Sequence, residues 1–279
     1  MIDFKRILFP ADFSAQSRAV VPFVKAMARC FGSEIVVLHV IHVPPSAPLD
    51  TDRYRIESSV ALDRFIAEEF SGTPVTPELP EGDTAQEIAG YAHDHHADLI
   101  MMPTHGHGPF RALLLGSITA KVLHDAHCPV WTGIHAEQMT SHSPDRWKRV
   151  LCAVDTEDRD GQVIKWASDF AQEQGMELQL VHAVAGADGM WTQENDPSMY
   201  DFLFHAARER LAALLEKAGT SVEIRLIGGS VGSAVHKAAL EYNADLIVIG
   251  RGAIHQALGR LRSVAYSIIR AAPCPVISI

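Results

Sequence analysis

Runs of β-branched and aliphatic residues alternate with longer amphipathic stretches along the chain. In the first half this pattern predicts five strands, at Ile7–Pro10, Ile35–Val40, Val75–Leu79, Leu99–Met102 and Pro129–Thr132. It also predicts helices between them, one capped by Ser14 and others at Tyr54–Phe70, Thr84–His95 and Ser117–Ala126. This alternation is typical of a parallel α/β sheet with helices on both faces. Ligands of such sheets bind beyond the carboxyl ends of the strands.

The whole pattern occurs twice in the chain. Asp155 follows Asp12 by 143 positions, and His182 follows His39 by the same interval. Near the end of each copy, Cys128-Pro129-Val130 recurs as Cys274-Pro275-Val276. The sequence therefore predicts a tandem duplication, with domains at 1–134 and 148–279 joined by a polar linker at 135–147.

Composition and charge exclude several classes of protein. Twenty-four basic and 34 acidic residues give a net charge of −10, which argues against unspecific binding to nucleic acid or to an anionic membrane. No apolar run reaches the roughly 18 residues that a spanning helix needs. The four cysteines form no CxxC pair and no disulfide framework, and the N-terminus lacks the pattern of a signal peptide. We expect a soluble cytoplasmic protein.

Two further signals are interpreted structurally. Fifteen histidines occur, but none stands in a His/Cys set with zinc-site spacing, so no metal site is expected. The run Gly228-Gly229-Ser230-Val231-Gly232 matches the nucleophile elbow of hydrolases. Ser230, however, corresponds to Asp83 in the first copy, and both residue types favour helix N-caps. We expect Ser230 to be a cap, and we predict no catalytic residues.

The segment from Pro103 to Thr119 carries the most informative chemistry. It leaves a predicted buried strand, contains several glycines, and enters a helix through Gly116 and Ser117. Glycines allow close backbone approach to a phosphate, and a helix N-terminus favours an anion. A long surface loop followed by an ordinary serine cap is the other interpretation, and local chemistry leaves both open.

This segment resembles the universal stress protein family, whose ATP-binding members carry Gly-x2-Gly-x9-Gly-Ser/Thr. Gly106, Gly116 and Ser117 match that motif, whereas Pro103 stands at its first glycine and lacks an N–H donor. The opening run Pro10-Ala11-Asp12-Phe13-Ser14, the Leu38-His39-Val40-Ile41 strand and the closing Cys128-Pro129-Val130 are also similar to the family. The resemblance covers both halves and hence essentially the whole chain.

The resemblance implies two flavodoxin/Rossmann-like, doubly wound, parallel five-stranded sheets in tandem, similar to the adenine nucleotide alpha hydrolases. It implies an adenine nucleotide as ligand, ATP, AMP or another, with or without Mg²⁺. Carried over to this sequence, the predicted binding residues of the first half are Pro10, Ala11, Asp12, Val40, Met102, Pro103, His105, Gly106, Gly116, Ser117, Ile118 and Thr119.

The second half departs further from the family motif. Gly250 and Gly252 enclose a single residue, and Arg262 replaces the glycine before Ser263. An arginine there is expected to crowd a loop that needs the backbone freedom of glycine, although Arg251, Arg260 and Arg262 could also pair with phosphate. We therefore expect one nucleotide per chain. The weaker second site would comprise Asp155, Ala183, Gly250, Gly252, Arg262, Ser263 and Val264.

The expected role is nucleotide binding and signalling in a stress response, without turnover. A slow ATP hydrolase using His105 or His107, and a nucleotide-free dimerisation or interaction protein, are the alternatives. Family members pair through their last strands. The resemblance thus implies an intramolecular pseudo-dimer through Pro129–Thr132 and Val276–Ile279, with a homodimer left open.

Overall fold

The computed structural model describes residues 2–41, 51–105, 115–133, 147–156, 161–187, 192, 194–251 and 261–279. The chain divides into two compact units, one formed by Asp3–Arg146 and the other by Trp147–Ile279 together with Met1–Ile2. Among the described residues, no helix is both long enough and apolar enough to cross a membrane.

The first unit alternates strands and helices throughout. Its elements are β1 Arg6–Pro10, α1 Ala15–Phe31, β2 Glu34–Leu38, α2 Thr51–Glu69, β3 Thr76–Glu78, α3 Thr84–Asp94, β4 Leu99–Pro103, α4 Ser117–Asp125 and β5 Val130–Gly133. The strands form a parallel sheet in the order β3-β2-β1-β4-β5. β1 is thus the central strand, and its residues Ile7, Leu8 and Phe9 are fully buried.

The helices cover this sheet because their apolar residues recur at helical spacing. In α1, Val20, Val24 and Met27 are almost completely buried, as the sequence pattern predicts. The ring of Phe65 in α2 lies 6.3 Å from that of Phe9 in β1. Burying one apolar face of each helix against the strands forms the core of the unit.

The second unit repeats this order of elements. They are β6 Arg149–Ala153, α5 Gln162–Glu173, β7 Glu177–Val184, α6 Pro197–Ala218, β8 Ile224–Gly228, α7 Val231–Tyr242, β9 Leu246–Ile249, α8 Leu261–Ala271 and β10 Val276–Ser278. The order of its parallel strands is β8-β7-β6-β9-β10, which corresponds strand for strand to the first unit. As the sequence predicts, Asp196 caps α6 and Pro197 is its first residue.

The predicted fold, two doubly wound parallel sheets of five strands in tandem, is confirmed. The sequence left the flavodoxin-like and Rossmann-like strand orders open, and the observed order is that of the Rossmann type. In this order the chain direction across the sheet reverses at the central strand. Ligand sites of such sheets lie at this reversal, which here falls between β1 and β4 and between β6 and β9.

The predicted linker at 135–147 lies almost entirely outside the described residues. Its last residue, Trp147, is 7% exposed and lies two residues before the start of β6. The boundaries 1–134 and 148–279 stay predictions.

Candidate functional site

Asp12 follows the central strand of the first unit and is held by hydroxyl groups. Its Oδ1 accepts hydrogen bonds from Ser14 Oγ at 2.5 Å, Ser17 Oγ at 2.6 Å and the Ser14 N–H at 3.1 Å. Ser14 is also the N-cap of α1, because its Oγ accepts from the Ser17 N–H. Both serines are buried whereas Asp12 is exposed. A carboxylate with three donors on one oxygen has a fixed orientation at the surface of the unit.

His39 connects the ends of β1 and β2. Its Nδ1 lies 2.8 Å from the carbonyl oxygen of Ala11, the residue before Asp12. The Ala11 N–H donates to the carbonyl of Leu38, so both backbone polar groups of Ala11 are bonded to the β2 segment. Val40, another of the predicted binding residues, directly follows His39 and is 9% exposed.

The end of β4 lies directly against the start of α4. Met102 and Pro103 are buried in β4, and Pro103 pairs in register with Gly133 of β5. The N–H of Gly116 donates to the carbonyl of Thr104 at 2.8 Å. The helix N-terminus is therefore fixed at the carboxyl end of the strand, where its first-turn N–H groups and its dipole favour an anion.

Gly116 is required for its size and not for its conformation. Its φ of −58° and ψ of 144° are open to any residue, so the expected need for glycine's backbone freedom is wrong at this position. A Cβ on Gly116 would lie 3.2 Å from the Thr104 carbonyl oxygen and 3.3 Å from the His105 Cα. Both contacts involve backbone atoms, so a side chain here would require the strand end or the helix start to shift by a few tenths of an ångström.

The remaining predicted phosphate contacts divide into two groups. Ser117 and Ile118 are exposed in the first turn of α4. Thr119 is buried, and its hydroxyl donates to the Pro103 carbonyl at 3.2 Å, so its side chain joins helix to strand. The Nδ1 of His105 lies 3.1 Å from Thr104 Oγ1. Gly106 lies outside the described residues, as does His107 of the hydrolase alternative.

The structure thus brings the predicted residues of the first unit to one edge of its sheet. Pro10, Ala11 and Asp12 end the central strand, and Val40 follows the strand on one side of it. Met102, Pro103 and His105 end the strand on its other side, with Gly116 to Thr119 beside them. This edge is the reversal point at which ligands of this fold bind.

The second unit keeps the strand end but changes the loop after it. Asp155 is exposed beyond β6, and Ala183 lies within β7. His182 Nδ1 lies 2.8 Å from the Val154 carbonyl, the same contact that His39 makes. α5 begins at Gln162, seven residues after Asp155, whereas α1 begins three residues after Asp12. Its N-cap is Gly161 in the left-handed conformation with φ of 64°.

The helix that corresponds to α4 in the second unit, α8, also begins differently. α8 begins at Leu261, so Arg262 and Ser263 lie inside its first turn, whereas their counterparts Gly116 and Ser117 are N-cap and first residue of α4. The expectation that Arg262 crowds a loop stays a prediction. Val264 is exposed within the same helix. Gly250 follows β9, and the N–H of the next residue, Arg251, donates to the Ile279 carbonyl at 2.9 Å. Gly252 lies outside the described residues.

Sequence reasoning missed the residues that support Asp12. The sequence analysis made no prediction for Ser17, and it considered His39 only as part of the repeat and of the strand that is similar to the family. Two signals were available: hydroxyls two and five positions after Asp12, and the recurrence of the histidine as His182. At the same distances from Asp155 along the sequence the second unit has Glu157 and Asp160, and its helix α5 begins only after them.

The hydrolase-like run of glycines has a packing explanation. Ser230 is the N-cap of α7, as predicted, although its hydroxyl makes no capping bond. A Cβ on Gly228 would lie 2.7 Å from the Ala187 carbonyl oxygen, and one on Gly232 would lie 2.9 Å from that of Ser267. Both glycines therefore allow close approach of backbone segments. Within the described residues, no group of three or more histidine, cysteine or acidic side chains could hold a metal ion.

Two Rossmann-type units in tandem, each with an exposed aspartate after its central strand, define a duplicated α/β protein with a strand-end site. The model of the universal stress protein family matches residues 3–132 and 146–279. The chain therefore belongs to the universal stress protein family, as a tandem two-domain member.

Individual relatives agree with this assignment. Universal stress protein MJ0531 of Methanocaldococcus jannaschii is 33% identical over 137 residues, which cover 46% of this chain and 80% of that protein. A universal stress protein of Mycolicibacterium smegmatis is 24% identical over 97% of this chain and 95% of its own length. The crystal structure of a universal stress protein from Archaeoglobus fulgidus superposes with a TM-score of 0.70 at 26% identity, covering 99% of this chain and 96% of that one.

Proposed function

We propose that this universal stress protein binds an adenine nucleotide, ATP or AMP, mainly in its first unit, and acts by binding in a stress-response or signalling role. The adenosine would lie against Asp12 and Val40 at the ends of β1 and β2. The phosphates would lie between the end of β4 and the N-terminus of α4.

The contact between Gly116 and Thr104 carries this proposal. The distance from the Gly116 nitrogen to the Thr104 carbonyl oxygen is 2.8 Å. This bond fixes the N-terminus of α4 beside the carboxyl end of β4, the strand next to the central strand. Helix N-termini bind phosphate through free N–H groups and the dipole. On the other side of the reversal point, the fixed carboxylate of Asp12 is an acceptor suited to a ribose hydroxyl or an amino group.

Features of the second unit support the proposal that the nucleotide binds mainly in the first. Its Arg262 and Ser263 lie inside a helical turn, and the Arg251 N–H is already bonded to the Ile279 carbonyl. Between Asp155 and α5 the sequence carries three acidic residues and one basic residue, and this added negative charge disfavours phosphate. A charge-assisted bond from Arg262 to phosphate acts in the opposite direction. We infer that the loss of backbone donors and the added negative charge have the larger effect.

Mass spectrometry of the purified, undenatured protein tests the proposal. We expect a retained adenine nucleotide, or binding of added ATP or AMP by ligand-free protein, with no release of ADP over time. Steady ADP release that His105→Ala abolishes would instead indicate the slow hydrolase. A folded protein that retains no nucleotide and binds neither ATP nor AMP at millimolar concentration would contradict the proposed function.

Pairing of the last strands stays a prediction from the family resemblance. A protease site placed between residues 135 and 146 would cut the chain without changing either unit. If the last strands pair, an interface of roughly 600–1,500 Å² should keep the halves together on size exclusion at micromolar concentration. Separate elution of the two halves would contradict the pairing.

A further inference from the structure

The imidazole of His39 contacts the residues on both sides of Asp12. Its Nδ1 lies 2.8 Å from the Ala11 carbonyl oxygen, and its ring stacks on Phe13 with centroids 4.3 Å apart and planes at 25°. The residue before Asp12 and the residue after it therefore both rest on one side chain of the neighbouring strand.

The backbone at this position needs such support. Phe13 has a φ of 60°, in the left-handed region that residues other than glycine rarely adopt. Such a conformation is strained and persists only where surrounding contacts hold it. The ring of Phe65 also packs on Phe13, with centroids 5.3 Å apart. Phe13 is thus held between α2 and His39, and its conformation determines how the chain passes Asp12.

The hydrogen-bond roles at His39 follow from its partner. A carbonyl oxygen only accepts, so Nδ1 carries the proton and donates it to Ala11. Burial lowers the pKa of His39, against the smaller raising effects of the Ala11 bond and the Asp12 charge. The imidazole is therefore neutral near pH 7, with its proton on Nδ1.

We propose that His39 is a positioning residue for the nucleotide: it fixes Asp12 relative to Val40 at the ends of two neighbouring strands. The proposal rests on the proposed function of the first unit. His39 does not need to touch the ligand. It acts through Ala11 and Phe13 on one side and through its own position before Val40 on the other.

The second unit supplies a matched control. His182 Nδ1 lies 2.8 Å from the Val154 carbonyl, so the same bond exists beside Asp155. Thr156 stands where the first unit has Phe13, so this position supplies no aromatic ring to stack on His182. Removing the imidazole from either unit should loosen a loop, but only the first loop carries the proposed nucleotide contact.

Three variants separate positioning from stability. His39→Leu introduces an apolar side chain of similar size and removes the Nδ1–H donor. His39→Asn keeps a donor near the position of Nδ1. His182→Leu removes the corresponding bond of the second unit. The dissociation constant for ATP is measured by calorimetry, and hydrogen exchange of the amides at 11–17 is measured without ligand.

We expect His39→Leu to weaken ATP binding about tenfold, because small displacements of a binding group have large effects, and to speed exchange at 11–17. His39→Asn should recover most of the affinity and protection, and His182→Leu should bind ATP like the unchanged protein. Equal affinity of His39→Leu and the unchanged protein, or equal losses in His39→Leu and His182→Leu, would overturn the proposal.

Failure of the proposed function has a different signature. In that case the unchanged protein itself would bind no ATP. If the unchanged protein binds ATP but His39→Asn, with protection at 11–17 intact, binds as poorly as His39→Leu, the proposed function stands and positioning through the Ala11 bond is wrong. Should His39→Leu fail to fold, Phe13→Leu tests the same support by removing the stacked ring, with an expected loss of a few-fold in affinity.

Discussion

The two loops that follow the central strands share one histidine contact and differ in the residues around their aspartates. In both units a histidine of the neighbouring strand bonds the carbonyl before an exposed aspartate. In the first unit that aspartate also bonds Ser14 and Ser17 at the start of α1. The helix of the second unit begins four residues later relative to its aspartate. Both sheet edges thus share the histidine bond, and in the first unit two serines also hold the aspartate.

The starts of α4 and α8 likewise share one feature and differ in another. Both units have a serine at corresponding positions, but Gly116 lies close to the Thr104 backbone whereas Arg262 lies within a helical turn. Recurrence of the serine alone therefore does not identify a phosphate site. The two units differ in where the helix begins relative to the preceding strand.

The largest expected effect comes from giving the first unit the residue of the second. Gly116→Arg should weaken ATP binding by more than tenfold, because a Cβ would lie 3.2 Å from the Thr104 carbonyl oxygen and displace the helix start. Calorimetry with ATP measures the change. Gly90→Arg is the control, because nothing lies within 4 Å of a Cβ there. Unchanged affinity for ATP in a folded Gly116→Arg protein would contradict the assignment of the phosphate site.

A smaller effect is expected from the two aspartates. Asp12→Ala should weaken ATP binding about fivefold and lower the free energy of unfolding by about 1–3 kcal/mol, because the buried Ser14 and Ser17 hydroxyls lose their acceptor. Asp155→Ala should leave ATP affinity unchanged. Parallel titrations and urea unfolding of both variants measure these differences. Equal losses of ATP affinity in the two variants would mean that the units bind alike.

The smallest expected effect is a pH dependence of stability from His39. Its pKa lies below the ordinary value of 6.5, mainly because of burial, so the unfolded chain takes up the proton more readily. The contribution of neutral His39 to the free energy of unfolding is therefore fully present above about pH 6.5, and it is lost as the pH falls through the pKa that His39 has in the folded protein. His39→Asn should therefore lose less stability than the unchanged protein between pH 7.5 and 5.5, in urea unfolding. The Asp83 and Asp196 carboxyls, whose pKa values lie below 3.8 through bonds from backbone N–H groups, do not titrate in this range. An identical loss in both proteins would assign the pH dependence to other groups.

The sequence predicted the fold well because hydrophobic periodicity directly reports burial. The run Ile7–Pro10 becomes the central strand, and the recurrence of Asp12 as Asp155 correctly indicates a second copy of the same unit. The supporting contacts were less predictable, because they depend on which residues the fold brings together. Ser17 bonds Asp12 only because α1 begins at Ala15. The role of Gly116 was misread because a close approach and a special backbone conformation both select glycine.

Titration of ligand-free protein with ATP tests the central claim, an asymmetric pair of units, most directly. Calorimetry should show saturation near one equivalent per chain, and Gly116→Arg should weaken that binding whereas Arg262→Ala should not. Saturation near two equivalents, with one of them lost in Arg262→Ala, would contradict the account. It would show that the arginine provides in the second unit what the helix start provides in the first.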